Sequence, residues 1–118
     1  MALLFLKLSE IALGNEKVVP KKISLPNIFK PLRQVSSITV NTVHGNPSSI
    51  GRVKQLFRPQ IETMEGAAFY YACNQNKWKC LQIRAISNYV EKRDKNKWNI
   101  PLAINQLNNT LIEYFQHL

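Results

Sequence analysis

Cysteine and histidine are scarce in this chain of 118 residues. Two cysteines cannot build a disulfide framework, and two histidines cannot form the core of a metal cluster. A reduced, cytoplasmic setting with no metal and no cofactor is therefore the expectation. Glycine and proline are also few, at four and six residues, which excludes collagen-like and low-complexity classes. No apolar run approaches the ~18 residues of a membrane span. The apolar start, Met1-Ala2-Leu3-Leu4-Phe5-Leu6, lacks a preceding basic region and an Ala-x-Ala-like cleavage site. Lys7 interrupts it, so it reads as the start of a packed helix rather than a signal peptide. No internal repeat is present.

Acidic side chains are outnumbered, seven against sixteen Lys/Arg, for a net charge of +9. Such a balance can attract nucleic acid, an anionic membrane or an acidic partner. The charge is dispersed, however. Residues 1–34 hold six basic and two acidic side chains, and residues 92–97 hold four and one. No basic helix is interleaved with exposed aromatics, so a solvated basic surface is expected, with no nucleic-acid and no membrane partner. What the chain does have is apolar content. At 45% hydrophobic residues it is able to bury the core of one small domain.

The pattern predicts a short helix over 3–13, ended by Gly14-Asn15, and a loop-rich connection over 15–34 with Pro20, Pro26 and Pro31. The β-branched run 35–43 predicts a strand, broken by His44-Gly45-Asn46-Pro47. Ser48 or Ser49 then caps a helix to about Phe57, stopped by Arg58-Pro59. Residues 60–64 are short and extended. The small, apolar and aromatic stretch 65–76 predicts a buried helix, and Lys77-Trp78 turns the chain. Residues 79–87 are nearly apolar throughout, with Gln82 and Arg84 inside the run, as in a central strand covered on both faces. A polar loop over 88–97 precedes a final helix over 99–117. The alternation of strands and helices argues for an α/β layer with a largely parallel sheet. Ligands bind such sheets beyond the carboxyl ends of the strands, and three stretches fall there: 44–49, 62–66 and 87–93.

Two of these stretches carry groups suited to a nucleoside. Glu65 lies at a strand end and opens a helix, and Gly66-Ala67-Ala68 allows close packing. A carboxylate only accepts hydrogen bonds, and its two oxygens match the two hydroxyls of a cis-diol. An acid favoured in the first helical turn is the alternative for Glu65. Arg84 lies in an apolar strand, where an unpaired charge is costly, so it calls for a partner, with Glu62 as the candidate. Asn88 follows that strand. Its amide donates and accepts together, as a 6-oxopurine requires. A turn residue in left-handed geometry is the alternative for Asn88.

Met64-Glu65-Gly66-Ala67-Ala68, followed one helix and one turn later by Arg84-Ala85-Ile86-Ser87-Asn88, resembles the nucleoside phosphorylase/nucleosidase superfamily. Within it, Ile86 to Arg93 and Trp98-Asn99-Ile100-Pro101-Leu102-Ala103-Ile104 are most similar to the futalosine hydrolases. The resemblance covers about residues 35–118. It implies the C-terminal part of a three-layer α/β/α fold with a central mixed, largely parallel sheet, preceded over 1–34 by a divergent or truncated leader. It also implies hydrolysis of the N-glycosidic bond of futalosine, releasing hypoxanthine and dehypoxanthine futalosine in menaquinone biosynthesis, and association into a homo-oligomer. Glu65 would bind the ribose hydroxyls and Met64 would wall the sugar. Asn88 stands where the related methylthioadenosine/S-adenosylhomocysteine nucleosidases have an Asp that protonates adenine. Asn cannot donate a full proton and suits hypoxanthine instead. Ser87 would orient residue 88, and Arg84 would place the attacking water. The turn Val43-His44-Gly45-Asn46 falls near the family's base-binding loop.

The same resemblance exposes a gap. Relatives carry a water-activating Glu after their first strand, and neither Glu10 nor Glu16 can be given that role by motif. The N-terminal half of the family's sheet and the Gly-rich loop beside the sugar have no evident counterpart. A purine nucleoside phosphorylase, an adenine nucleosidase and a non-catalytic nucleoside-binding remnant therefore stay as alternatives. Elsewhere, Phe69, Tyr70 and Tyr71 read as core or subunit interface, and Cys73 and Cys80 as small buried hydrophobes. His44 and His117 read as a turn and a tail residue. Arg93 is either solvated or placed to meet a substrate carboxylate.

Overall fold

The computed structural model describes the backbone of residues 3–11 and the backbone and side chains of residues 17–118. The elements run β1 (Leu3–Ile11), β2 (Lys17–Val18), a 3-10 turn (Asn27–Phe29), β3 (Arg33–Thr39), α1 (Pro47–Phe57), β4 (Ile61–Thr63), α2 (Gly66–Gln75), β5 (Gln82–Ala85), a second 3-10 turn (Lys95–Lys97) and α3 (Ile100–Gln116). The fold is mixed α/β. Its sheet is centred on three parallel strands, β1, β3 and β4, in that spatial order. The outer edge of β1 carries two antiparallel partners. β5 pairs with Leu3–Leu6, and β2 pairs with Glu10–Ile11.

The helix expected over 3–13 is instead the strand β1. The physical reason is pairing. Leu3-Leu4-Phe5-Leu6 is an unbroken apolar run, and such a run suits a buried helix or a two-sided strand equally well by periodicity. Partners on both edges decide for the strand, as tertiary context overrides propensity. The expected helix stop at Gly14-Asn15, and Glu16 with it, lie outside the described residues.

The other elements fall within the predicted stretches, with two changes: Lys17–Val18 forms β2 inside the expected loop, and the expected central strand over 79–87 is the four-residue β5, which among the described residues pairs with β1 alone and so is not covered on both sides. Asn46, not Ser48 or Ser49, caps α1: its side-chain oxygen accepts from the Ser48 amide at 2.8 Å, and Pro47 opens the helix without wasting a donor. Arg58 ends α1 in left-handed geometry at φ 48°, and Lys77 turns the chain after α2 at φ 58°. Asn99 caps α3 by accepting from Leu102 at 3.2 Å.

Register separates the two sheet faces. Ser37 pairs with Ile61 and Thr39 with Thr63, so Val35, Ser37 and Thr39 share a face with Ile61 and Thr63. Val35 packs there with Ile61 and Ile86, and α2 lies against that face. Tyr70 is its anchor at 1% exposure, with Ala67 and Cys73 also buried. α3 packs against β5 and β1, burying Ala103, and its Tyr114 ring stacks on Phe29 at 4.7 Å. Of the expected aromatic trio, Tyr70 is core, whereas Phe69 and Tyr71 are exposed. Among the described residues, no helix is long and apolar enough to cross a membrane, and no group of His, Cys, Asp and Glu could hold a metal ion.

Candidate nucleoside site

Glu65 sits between β4 and α2 as the N-cap residue of α2, yet its side chain makes no capping hydrogen bond. It is exposed, and among the described residues its carboxylate has no hydrogen-bond or ion-pair partner. Met64 beside it is exposed as well. The backbone that follows is firmly held. The Gly66 carbonyl accepts from the Gln82 side chain of β5 at 2.8 Å. The Ala67 amide donates to the Thr39 hydroxyl of β3 at 2.9 Å. Both polar atoms of the Gly66–Ala67 peptide are thus clamped by side chains from two other strands. Gly66 and Ala67 are buried, so small residues are what this approach admits. Thr39 also meets the Thr63 hydroxyl at 3.1 Å, closing the end of β3 on β4.

Gln82 has a second task. Its oxygen accepts from the Arg84 guanidinium at 3.0 Å. The carboxylate partner expected for Arg84, Glu62, is engaged elsewhere. Residues two apart on a strand share a face, which is why Gln82 and Arg84 meet, and why a half-buried Arg84 needs only a neutral acceptor. Sequence reasoning missed Gln82. Its signal was there: a lone amide in an apolar strand, two residues from the only charge.

Glu62 is bound by His44. The His44 backbone amide donates to Glu62 Oε1 at 2.9 Å, and the imidazole Nδ1 is hydrogen-bonded to Oε2. The Glu62 side chain is 7% exposed and the His44 side chain 19%. Because Glu62 pairs in register with Ile38, the dyad lies on the face opposite α2. His44 is therefore more than a turn residue.

Asn88 follows β5. Its oxygen accepts from the Ser87 hydroxyl at 2.6 Å, and its amide donates to the Tyr89 carbonyl at 3.0 Å. A carboxamide has two donors and two acceptor sites, so one N–H and one lone pair remain. Asn88 is not among the residues with positive φ, which removes the left-handed turn alternative. The Ser87 carbonyl is tied to the cap of α3 by the Asn99 amide at 2.8 Å.

The three stretches expected at one end of the sheet are reached in two ways. Residues 44–49 and 62–66 follow the carboxyl ends of β3 and β4. β5 runs antiparallel to β1, so residues 87–93 leave the sheet at the other end of β1. The loop then returns: a Cβ on Gly45 would lie 3.3 Å from the Arg93 Cβ. His44 to Glu62 and Gly45 to Arg93 thereby join the three stretches. No hydrogen bond or ion pair links Glu65 with Asn88. The Arg93 guanidinium lies over the Trp98 ring at 5.8 Å. A wide apolar groove opens elsewhere, between Ile23, Phe29, Ile83, Leu107 and Leu111, and holds none of these residues.

Residues 31–116 match the family model described as the phosphorylase superfamily. The chain belongs to that superfamily. The structure of Arabidopsis thaliana 5'-methylthioadenosine nucleosidase in apo form superposes on it with a TM-score of 0.78 at 15% sequence identity, over 98% of this chain and 53% of that one. This superfamily chain thus shares the nucleosidase fold and spans about half the length of that enzyme. Among curated proteins, none matches it significantly in sequence. The match covers β3 through α3, and with them the Gly66–Ala67 clamp, the His44–Glu62 dyad and the Ser87–Asn88 pair.

Near β5 the two thiols meet. Burial, together with a hydrogen bond to Cys73, pushes the Cys80 thiol up to about 12. Cys73 is buried, whereas Cys80, expected to be buried as well, is only half-buried, because it lies just before the short strand β5.

Proposed function

We propose that the chain acts in hydrolysis of the N-glycosidic bond of a 6-oxopurine nucleoside, with futalosine as substrate and hypoxanthine as the base released. Glu65 accepts hydrogen bonds from the ribose hydroxyls, and Met64 walls the sugar. Asn88, held by Ser87, uses its free N–H and lone pair on the purine. Arg84, with donors left after its bond to Gln82, places the attacking water. Breaking the bond builds positive charge on the ribose and negative charge on the base, so groups that match this distribution lower the barrier. No residue is assigned as the base that activates the water.

What supports this reading is a clamped backbone beside a carboxylate that has no partner among the described residues. The Gly66–Ala67 peptide is held at both polar atoms, while the Glu65 side chain immediately before it is exposed and unengaged among the described residues. A fixed backbone that leaves its carboxylate open to accept two hydrogen bonds suits diol recognition. Membership of the phosphorylase superfamily supports a nucleoside as the substrate class.

The test is hypoxanthine release from futalosine, with and without phosphate, beside calorimetry with inosine. The expected result is release that does not depend on phosphate, and no adenine from methylthioadenosine. Phosphate-dependent cleavage would indicate a phosphorylase. Preference for methylthioadenosine would indicate an adenine nucleosidase. Inosine binding without release would indicate a non-catalytic binding chain.

A further inference from the structure

His44 and Glu62 form a unit that the proposed chemistry has not used. The Glu62 carboxylate is buried, and both its oxygens are taken by one residue, through the backbone amide and the ring of His44. An ionised carboxylate only accepts, so Nδ1 of the imidazole carries the proton that faces it. The ring is thereby fixed in orientation and tautomer, and Nε2 is turned away from Glu62. Among the described residues Nε2 has no partner. An imidazole held in this way takes up and gives back a proton through its far nitrogen, as the histidine of a catalytic triad does.

The location matters as much as the pairing. Glu62 precedes Glu65 by three residues on β4 and its turn. Gly45, next to His44, abuts Arg93 in the stretch that begins with Ser87 and Asn88. The imidazole therefore stands between the stretch of Glu62 and that of Arg93, on the sheet face opposite α2. The chemistry proposed above lacks a proton source. A departing purine carries negative charge, and the carboxamide of Asn88 can hydrogen-bond it but cannot hand it a proton. Imidazole is the side chain best suited to that transfer near neutral pH.

We propose that His44, oriented by Glu62, is the proton donor to the departing base. This inference rests on the nucleosidase reading above. In the step, the bond between ribose C1′ and the base nitrogen breaks, and its electron pair leaves with the base. The proton on Nε2 moves to a ring nitrogen of the base. Water forms the new C1′–O bond, and its surplus proton restores the imidazolium.

Two measurements on the whole chain test the proposal. The first is a leaving-group comparison with His44→Asn, which keeps an N–H toward Glu62 and removes Nε2. A purine needs a proton to leave, whereas 4-nitrophenolate does not. The ratio of inosine to 4-nitrophenyl riboside turnover is expected to fall by about 100-fold or more, the usual worth of a general acid. Equal losses on both substrates would make His44 a structural residue and overturn the proposal. The second measurement needs neither a variant nor turnover: nitrogen NMR of the histidine-labelled protein during titration with hypoxanthine. The His44 Nε2 resonance is expected to shift on binding, with that of His117 unchanged. Hypoxanthine binding with Nε2 unmoved would overturn this role alone. A chain that binds neither hypoxanthine nor inosine would overturn the nucleosidase reading itself, and this role with it.

Discussion

The Gln82 side chain donates to the Gly66 carbonyl at 2.8 Å and so ties β5 to the first residue of α2. One amide thus connects the strand of Arg84 to the turn of Glu65. The Thr39 hydroxyl completes the hold from β3.

Removing either partner is expected to destabilise the fold and loosen the turn together. Thr39→Val keeps the shape but leaves the buried Ala67 amide without its acceptor, and Gln82→Leu strands Arg84. Each costs about 1–3 kcal/mol, read from urea unfolding midpoints. Thr39→Ser, which keeps the hydroxyl, is expected to recover most of the loss.

Glu65→Gln separates binding from folding. Among the described residues the carboxylate has no partner, so the unfolding midpoint is expected to stay within about 0.5 kcal/mol of the parent. Inosine affinity is expected to drop roughly tenfold or more, with hypoxanthine affinity unchanged, because only the diol contact is weakened. Calorimetry with the two ligands reads the difference.

Asn88→Asp restores a group that can carry a proton at the position where the adenine nucleosidases have Asp. The expected outcome is a shift in preference from hypoxanthine toward adenine nucleosides, measured as the ratio of the two turnovers. An unchanged ratio would remove residue 88 from base selection.

Much of this arrangement is legible in the residues themselves. The β-branched run before Val40 marks β3, Asn46-Pro47 marks the start of α1, and the small residues after Glu65 mark α2. What is not legible depends on partners distant in sequence. Leu3–Leu6 becomes a strand because it finds two edges. The antiparallel direction of β5 is set by the edge of β1 that it joins and leaves no local trace in its four residues. The choice of His44 as partner of Glu62 needs the return of the loop after β3. The choice of Gln82 for Arg84, by contrast, could have been read from their spacing of two.

Cys80 makes stability depend on pH in the alkaline range. Its thiol stays protonated in the folded chain up to about 12, whereas an exposed thiol ionises near pH ~8.5. The folded state then holds a proton that the unfolded state has released. Stability from this group is full below the unfolded value and is lost as pH rises toward the folded one. Unfolding midpoints at neutral and alkaline pH are expected to fall more for the parent than for Cys80→Ala. Alkylation of the folded chain is expected to be slow.

The central claim is that Glu65 and Asn88 hold opposite ends of one nucleoside. NMR of the Glu65 carboxylate and the Asn88 side-chain amide during titration with inosine tests it most directly. Both signals are expected to move with a single affinity, and hypoxanthine alone is expected to move Asn88 only. Movement of one signal without the other under inosine, or of neither, would contradict the claim.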